Sequence, residues 1–425
     1  MIPAAERVLF RWLRGRPEPA HPPARGGAVH TPQNSLPDYA STRTTGSATP
    51  IENRPRIAVD ANPATKSAVT GTERFAREVV ARLPRVAPDL DWRFYSARPA
   101  PSLGVDLTVL PLRRLWAQVR LPLELSARRP DLFLDLAHVV PAWCPAPPLK
   151  VFHDLAFERF PDAYRPAELA YLRWTTRRAA RTCRTMVAVS EATRQDLVSL
   201  YGVDPDRVTV VFEGGGEGTP GPGDAAADAA RLRGFGIEGP YVLNVGRIEP
   251  RKNQLAALAA VERLPGLLLV CAGAVQDEGM ATRLDASPRC RVLGAVSDSE
   301  RDLLYRRAEA LLFPSLYEGF GLPVLEAMKN GLPVVITRAS SLPEVGGEAA
   351  LYITDARDSE AMAEAVRRLR DDPALRQRLV AAGRRRASGF TWDRCAVGIA
   401  EAVRSRLSRP HAREPARSGR PLSPR

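Results

Sequence analysis

The sequence predicts an α/β protein of two Rossmann-like halves, each built on a parallel sheet, with the sheets facing each other across a cleft. Three observations carry this. The chain has 425 residues, too many for one ordinary hydrophobic core. Strand-like and helical patterns alternate along it, as parallel sheets covered on both faces require. A run of Gly and Pro at 214–223 then separates one alternating series from a second that opens on Tyr241-Val-Leu-Asn-Val-Gly246.

Residues 1–55 are rich in Pro, Ser, Thr and Gly without hydrophobic period and read as a disordered tail. The first half spans 56–220. Its first strand is Arg56-Ile-Ala-Val-Asp60, followed by a loop with Gly71 and a helix over about 73–83 that places Phe75, Val79 and Val80 on one side. Further strands are expected at 91–95, 106–109, 132–134, 150–152, 185–189 and 208–211. The second half spans 221–390, a helix at 391–404 crosses back to the first, and 405–425 read as a disordered basic tail. Gly216, Gly218 and Gly221 match the spacing of a dinucleotide fingerprint, but Pro220 and Pro222 occupy the stretch that should open a helix, so the segment reads as a linker.

Composition narrows the function. Of the formal charge of +13, the two ends carry +3 and +5, which suits weak attraction to an anionic surface better than a shaped nucleic-acid site. No nucleic-acid partner is expected. Arg7, Arg11, Arg14 and Arg16 interrupt the apolar residues of the first sixteen, unlike a secretory signal. Five separated cysteines lack metal or redox spacing and fit reduced thiols in the cytoplasm. A row of Arg177, Arg178, Arg181 and Arg184 at helical spacing reads as a solvated face, or as a contact for anionic lipid or a phosphorylated acceptor.

The chemistry concentrates at Tyr317-Glu-Gly-Phe-Gly-Leu-Pro-Val-Leu-Glu326. Pro323 suits the first position of a helix and Gly331 the residue after its end, predicting a helix over 323–330. The backbone of Gly319, Phe320, Gly321 and Leu322 then lies at a helix N-terminus, an anion site whose glycines allow a diphosphate close approach. Two carboxylates beside a diphosphate need neutral polyol partners: Glu326, in the first turn, would accept ribose hydroxyls and Glu318 hydroxyls of a sugar. Alone, Glu326 is equally a favourable first-turn acid. Arg247 and Lys252 follow the strand ending at Gly246 and would hold the diphosphate and its developing charge. His153 follows the strand 150–152 and would bond the sugar or an acceptor hydroxyl, unless local backbone satisfies it. Gly71 would bring backbone to the diphosphate from the opposite wall.

From Arg56 to about Arg404 the chain resembles glycosyltransferase family 4, the group 1 glycosyltransferases. The resemblance rests on Glu318 through Glu326, which is similar to the family's paired-glutamate motif, and on Pro343-Glu344-Val345-Gly346, Gly246-Arg247 with Lys252, His153-Asp154 and Gly71. Phe212-Glu-Gly-Gly-Gly216 departs from the family's usual Asn-Gly at that point.

The resemblance implies the GT-B architecture and a retaining enzyme that moves a sugar from a nucleotide diphosphate donor to an acceptor hydroxyl, with no cofactor and no required metal. Glu318 then positions the sugar or acts as nucleophile, Glu326 positions the ribose, and Arg247 with Lys252 the diphosphate. Backbone near Gly273 and Gly294 would meet the base. Ile57-Ala-Val-Asp-Ala-Asn-Pro63, with Leu115-Trp116 and Arg120-Leu-Pro122, looks most like members handling mannose in surface polysaccharide assembly. The partners implied are a nucleotide sugar, a glycan or lipid-linked acceptor, and a peripheral contact with anionic membrane at the cytoplasmic face. The competing reading is a non-catalytic GT-B-fold binding partner in a glycan assembly complex.

Overall fold

The computed structural model describes residues 54–66, 70–112, 115–137, 139–215 and 223–408. The 216–222 fingerprint glycines and most of both tails lie outside the described residues. In the first half, β1 (Arg56–Asp60), β2 (Asp91–Ser96), β3 (Leu107–Val109), β4 (Leu132–Asp135), β5 (Pro148–Phe152), β6 (Thr185–Ala188) and β7 (Val208–Val210) form one sheet in the order β3-β2-β1-β4-β5-β6-β7. In the second, β8 (Tyr241–Val245), β9 (Leu268–Ala272), β10 (Cys290–Gly294), β11 (Ala310–Phe313), β12 (Val334–Thr337) and β13 (Ala350–Ile353) form another, ordered β10-β9-β8-β11-β12-β13. Every pairing in both sheets is parallel.

The helices that position the site are α1 (Gly71–Val86), α2 (Leu121–Arg128), α3 (Pro166–Thr182), α4 (Glu191–Tyr201), α5 (Gln254–Val261), α6 (Asp298–Arg307), α7 (Leu322–Lys329), α8 (Leu342–Gly346) and α9 (Trp392–Ser408). Each sheet reverses its winding once, between β1 and β4 and between β8 and β11. At such a point adjacent loops run to opposite faces and leave a crevice beyond the carboxyl ends of the strands. The loops after β1, β5, β8 and β11, with the helix starts that follow them, carry Gly71, His153, Arg247, Lys252 and Glu318 through Glu326, which is why distant sequence positions meet.

The strands are buried on both faces, so they read as near-continuous apolar runs such as Val334-Val-Ile-Thr337 rather than as alternations. Helix α1 sets Phe75, Ala76, Val79, Val80 and Leu83 against the first sheet, and α9 closes over it. The rings of Phe75 and Trp392 meet edge to face at 6.1 Å, while Asp393 accepts from Arg82 at 2.9 Å and Arg85 at 2.5 Å. Helix α9 continues through Ser408, so residues 405–408 are not part of a disordered tail as the composition suggested. Leu407 packs on the core and Arg406 is buried, extending the spacing set by Ile399 and Val403 through residues whose charge masked it.

One charge cluster is buried with the fold. Asp60, at the end of β1, lies beside Asp135 at the end of β4, and Lys150 reaches Asp135 at 2.8 Å. Burial and the neighbouring Asp135 push the Asp60 carboxyl up to about 7. A carboxyl that holds its proton more tightly folded than unfolded contributes stability at low pH and loses it as pH rises through its folded value. Asp60→Asn keeps the bond from the Asn62 amide and removes this titration. We expect its melting temperature to exceed that of wild type at pH 8 and the difference to shrink at pH 5, measured by calorimetry.

Candidate active site

The site begins with a buried carboxylate. Glu318 lies in the loop between β11 and α7, and its Oε1 accepts from Lys252 Nζ at 2.6 Å while Oε2 faces Arg251 Nη1 at 3.5 Å. Burial alone would raise this carboxyl, but Lys252 and Arg251 outweigh it and hold Glu318 below the ordinary range, ionised. Ser340 and Ser341 fix the loop: the Glu318 amide donates to Ser340 Oγ at 2.7 Å, and the Ser341 hydroxyl donates to the carbonyls of Glu318 and Phe320 at 3.0 and 2.7 Å. Lys252 is buried over the Phe313 ring.

Arg251, which the sequence reading passed over, is the second cation at Glu318. It also donates to the Tyr317 carbonyl at 2.6 Å and pairs with Glu249 at 2.5 Å. Arg247 lies further off: its side chain is 46 % exposed and stands 3.7 Å from Glu249. Of three cations in one short loop, spacing alone did not show which two turn inward.

Helix α7 starts at Leu322, one residue earlier than expected, because Gly321 takes φ +119° and serves as the N-cap. Pro323 is therefore its second residue, and Glu326 begins the second turn rather than closing the first. Glu326 Oε2 accepts from the Tyr305 hydroxyl at 2.9 Å and faces Arg301 at 3.4 Å, both on α6. Its Oε1 pairs with Arg74, from the first turn of α1 across the cleft. A ribose at Glu326 would have to displace Arg74.

Four contacts hold the halves together here. Besides Arg74 with Glu326, the Tyr317 hydroxyl donates to Asp196 at 2.7 Å and accepts from the Leu155 amide at 3.1 Å. Glu344 of α8 accepts from the amides of Glu191 and Ala192 at 2.7 and 2.8 Å, satisfying free donors at the N-terminus of α4. Burial pushes Glu344 up to about 7 against the pull of those two bonds. Gly319 packs so tightly on the His153 carbonyl that a Cβ there would lie 2.0 Å from its oxygen. The glycine is required by the contact of the halves, and its open side is not free for a phosphate in this arrangement.

Gly71 is the first residue of α1, and a Cβ on it would stand 3.5 Å from the Leu322 side chain. The N-termini of α1 and α7 thus oppose each other, one on each wall. Phe320 is buried against Phe212 and Phe390, with ring centroids 6.0 and 5.9 Å away. Gly273 and Gly294, expected near the base, are joined by a backbone bond of 2.7 Å.

His153 is largely enclosed, with 13 % of its side chain exposed. Nδ1 lies 3.1 Å from Glu213 Oε1 and Nε2 2.8 Å from the Leu136 carbonyl, and the ring meets Phe75 edge to face at 4.7 Å. Both partners are acceptors, so the imidazolium satisfies both nitrogens. Burial opposes the charge, yet Glu213 and the Leu136 carbonyl prevail and raise the pKa of His153 above its ordinary value. The departure at Phe212-Glu-Gly-Gly-Gly216 is thus partly explained: Glu213 is the counter-ion of His153.

Because the folded pKa is raised, this pair contributes its full stability below the unfolded value of about 6.5 and loses it as pH rises through the folded value. Glu213→Gln should therefore destabilise the chain more at pH 6 than at pH 9, by about 1–3 kcal/mol at the lower pH, read from urea denaturation.

Residues 69–214 match the family model described as Glycosyltransferase Family 4, and residues 233–386 that described as Glycosyl transferases group 1. Among curated relatives, the chain is similar to the O-antigen chain mannosyltransferase B of Escherichia coli. The two are 29 % identical over 255 residues, which cover 57 % of this chain and 66 % of that one. It is also similar to the D-inositol 3-phosphate glycosyltransferase of Acidothermus cellulolyticus, 36 % identical over 233 residues that cover 50 % and 51 % of the two chains. The chain spans about half to two thirds of the length of these relatives. Among solved structures, HepE of Anabaena in complex with UDP and glucose superposes with a TM-score of 0.64 at 17 % identity, over 83 % of this chain and 100 % of that one. WaaG, a glycosyltransferase involved in lipopolysaccharide biosynthesis, gives 0.61 at 17 % identity, over 82 % and 98 %. Two parallel sheets joined in this way are the GT-B fold. With one family match on each half, the chain belongs to the group 1, or family 4, glycosyl transferases.

Proposed function

We propose that the chain is a retaining glycosyltransferase that moves a hexose, of mannose type, from a nucleotide diphosphate sugar to an acceptor hydroxyl on a glycan or lipid-linked glycan, at the cytoplasmic face. One observation carries this reading. Two buried cations, Lys252 and Arg251, converge on the ionised Glu318 where the N-termini of α1 and α7 oppose each other. That arrangement offers positive charge for a diphosphate and a fixed acceptor oxygen for sugar hydroxyls beside it. The mannose preference draws on the likeness to the mannosyltransferase of Escherichia coli. The nucleotide donor draws on the likeness to HepE, whose structure holds UDP and glucose.

In this reading the sugar's anomeric carbon gains oxocarbenium character as its bond to the diphosphate lengthens. Lys252 and Arg251 stabilise the charge gathering on the departing phosphate, so the chemistry calls for no metal. The acceptor hydroxyl enters from the face the diphosphate leaves, and a phosphate oxygen takes its proton. Glu318, locked by two cations, orients the sugar. Glu326 receives the ribose once Arg74 swings away, and Arg74 is then free to meet the diphosphate. His153 presents its carbonyl to the Gly319 loop, and its imidazolium is paired with Glu213 within the acceptor-side wall.

The competing reading, a non-catalytic partner in a glycan assembly complex, draws on the internal saturation of Glu326 and His153. Thermal shift and transfer assays separate the two. A matched nucleotide diphosphate at 100 times its dissociation constant should stabilise the chain by about 2.7 kcal/mol. Lys252→Ala or Glu318→Gln should lower transfer by at least about 100-fold, the scale of losing one preorganised charge. Binding without turnover across a panel of donors and acceptors would favour the partner role, and full activity in both variants would sink the site assignment.

A further inference from the structure

Both ring nitrogens of His153 are taken within the first half, so the acceptor hydroxyl that its position suggested must find another partner. The next residue offers one. Asp154 Oδ1 accepts from the Ala156 amide at 3.0 Å, just as Asp60 and Asp135 accept from the Asn62 and Ala137 amides at 2.9 and 3.1 Å. All three close a turn at the carboxyl end of a parallel strand. They differ in what is left over. Asp60 and Asp135 are buried, and Lys150 takes the second oxygen of Asp135. Asp154 is half-buried, and its Oδ2 has no hydrogen-bonding partner among the described residues. The turn bond fixes the rotation of the carboxyl, so this oxygen has a set direction. The turn itself is pinned to the other half: the Leu155 amide donates to the Tyr317 hydroxyl at 3.1 Å, and a Cβ on Gly319 would lie 2.9 Å from Asp154 Cβ. Asp154 therefore stands against the loop that carries Glu318.

A second unpaired group lies beside it. Tyr164, two residues before α3, sets its ring edge to face on Phe157 at 6.4 Å. After burial, Asp154 is the largest influence on the ionisation of its hydroxyl, followed by Arg251, Arg247 and Glu249 from the other half. The hydroxyl is thus near Asp154 on its own wall and faces the loop after β8 across the cleft. It too has no hydrogen-bonding partner among the described residues. Burial and the Asp154 charge push it up to about 12, so it keeps its proton near neutral pH and can donate. The half-buried ring of Phe160 stands next to Tyr317 at 6.2 Å and adds an apolar surface to the same corner.

A carboxylate oxygen that only accepts, beside a phenol that both donates and accepts, suits two neighbouring hydroxyls of a sugar, and aromatic carbons nearby suit its C–H face. A phosphate in the same place would meet the charge of Asp154. We propose that Asp154 Oδ2 and the Tyr164 hydroxyl form the acceptor subsite and bind adjacent hydroxyls of a pyranose. The assignment rests on the transferase reading and names the acceptor chemistry within it, a sugar diol. Both residues belong to the wall opposite Lys252 and Arg251, so a sugar held here faces the donor without competing for the cations that would hold its diphosphate.

The test uses the full chain and the methyl α-D-pyranosides of mannose, glucose and galactose as probes, their binding read by saturation-transfer NMR with and without UDP or GDP. Asp154→Asn keeps the turn, since its amide oxygen can still accept from Ala156, and replaces the free oxygen by a donor. It should weaken binding of the pyranoside by at least about tenfold, and Tyr164→Phe by about three- to tenfold, the scales of a charged and a neutral hydrogen bond. Melting temperature and the nucleotide-induced thermal shift should stay at their wild-type values in both. A turn-closing role alone predicts wild-type pyranoside binding in Asp154→Asn, and that result would overturn the proposal. So would a wild type that binds none of the three probes. If the variants instead weaken a nucleotide sugar relative to its free nucleotide diphosphate, the two groups contact the donor sugar and the acceptor assignment falls. A wild type without any nucleotide-induced shift, whose pyranoside binding still responds to both variants, would remove the transferase reading and leave the sugar subsite standing.

Discussion

The buried pairing of Glu318 with Lys252 and Arg251 is the constraint around which the second half is organised. An unpaired carboxylate at that depth would cost several kcal/mol and would take up a proton instead. The pairing requires the loops after β8 and β11 to lie side by side, which they do only because those strands are neighbours at the reversal of the sheet. It also requires the Glu318 loop to hold its shape, which Ser340 and Ser341 provide from the loop after β12. Three consecutive strands are thus tied through one carboxylate, and the charge that stabilises it is the charge the proposed chemistry uses.

The first half answers with contacts rather than with a second charged centre. Tyr317, Gly319, Glu326 and Glu344 all meet partners across the cleft, and three of those partners are backbone groups or buried carboxylates of the first half. Helix α9 completes the seam by returning to α1 with Trp392 and Asp393. The residues that would bind a ligand are therefore also those that hold the halves together. Glu326 shows the competition most plainly, since Arg74 occupies the oxygen a ribose would seek.

The alternation of strands and helices was legible because burial on both faces leaves an unmistakable apolar signature in each strand, and the Gly/Pro run marked the join. The glycine loop and the two glutamates were legible because proline and glycine punctuate α7 so firmly. What the sequence concealed was direction. Arg251 and Arg247 are equivalent on paper, and only the tight turn Pro250–Lys252 sends the first inward. Arg74 lies 252 positions from the carboxylate it meets, beyond any local pattern. Glu213 looked like a departure from a familiar motif, and nothing near it in sequence pointed to His153. The last turn of α9 was hidden by its own arginines, whose charge read as tail although their spacing was helical.

The grip of Glu344 on α4 has a kinetic consequence. The amides of Glu191 and Ala192 sit at a helix start, where donors have no partner of their own and would ordinarily trade hydrogen with solvent freely. Here each is held by a carboxylate from the other half of the molecule, so neither can exchange by local fraying of its own helix alone. Their exchange becomes a clock for separation of the halves: the molecule carries, in two adjacent peptide groups, a gauge of how often its cleft stands open.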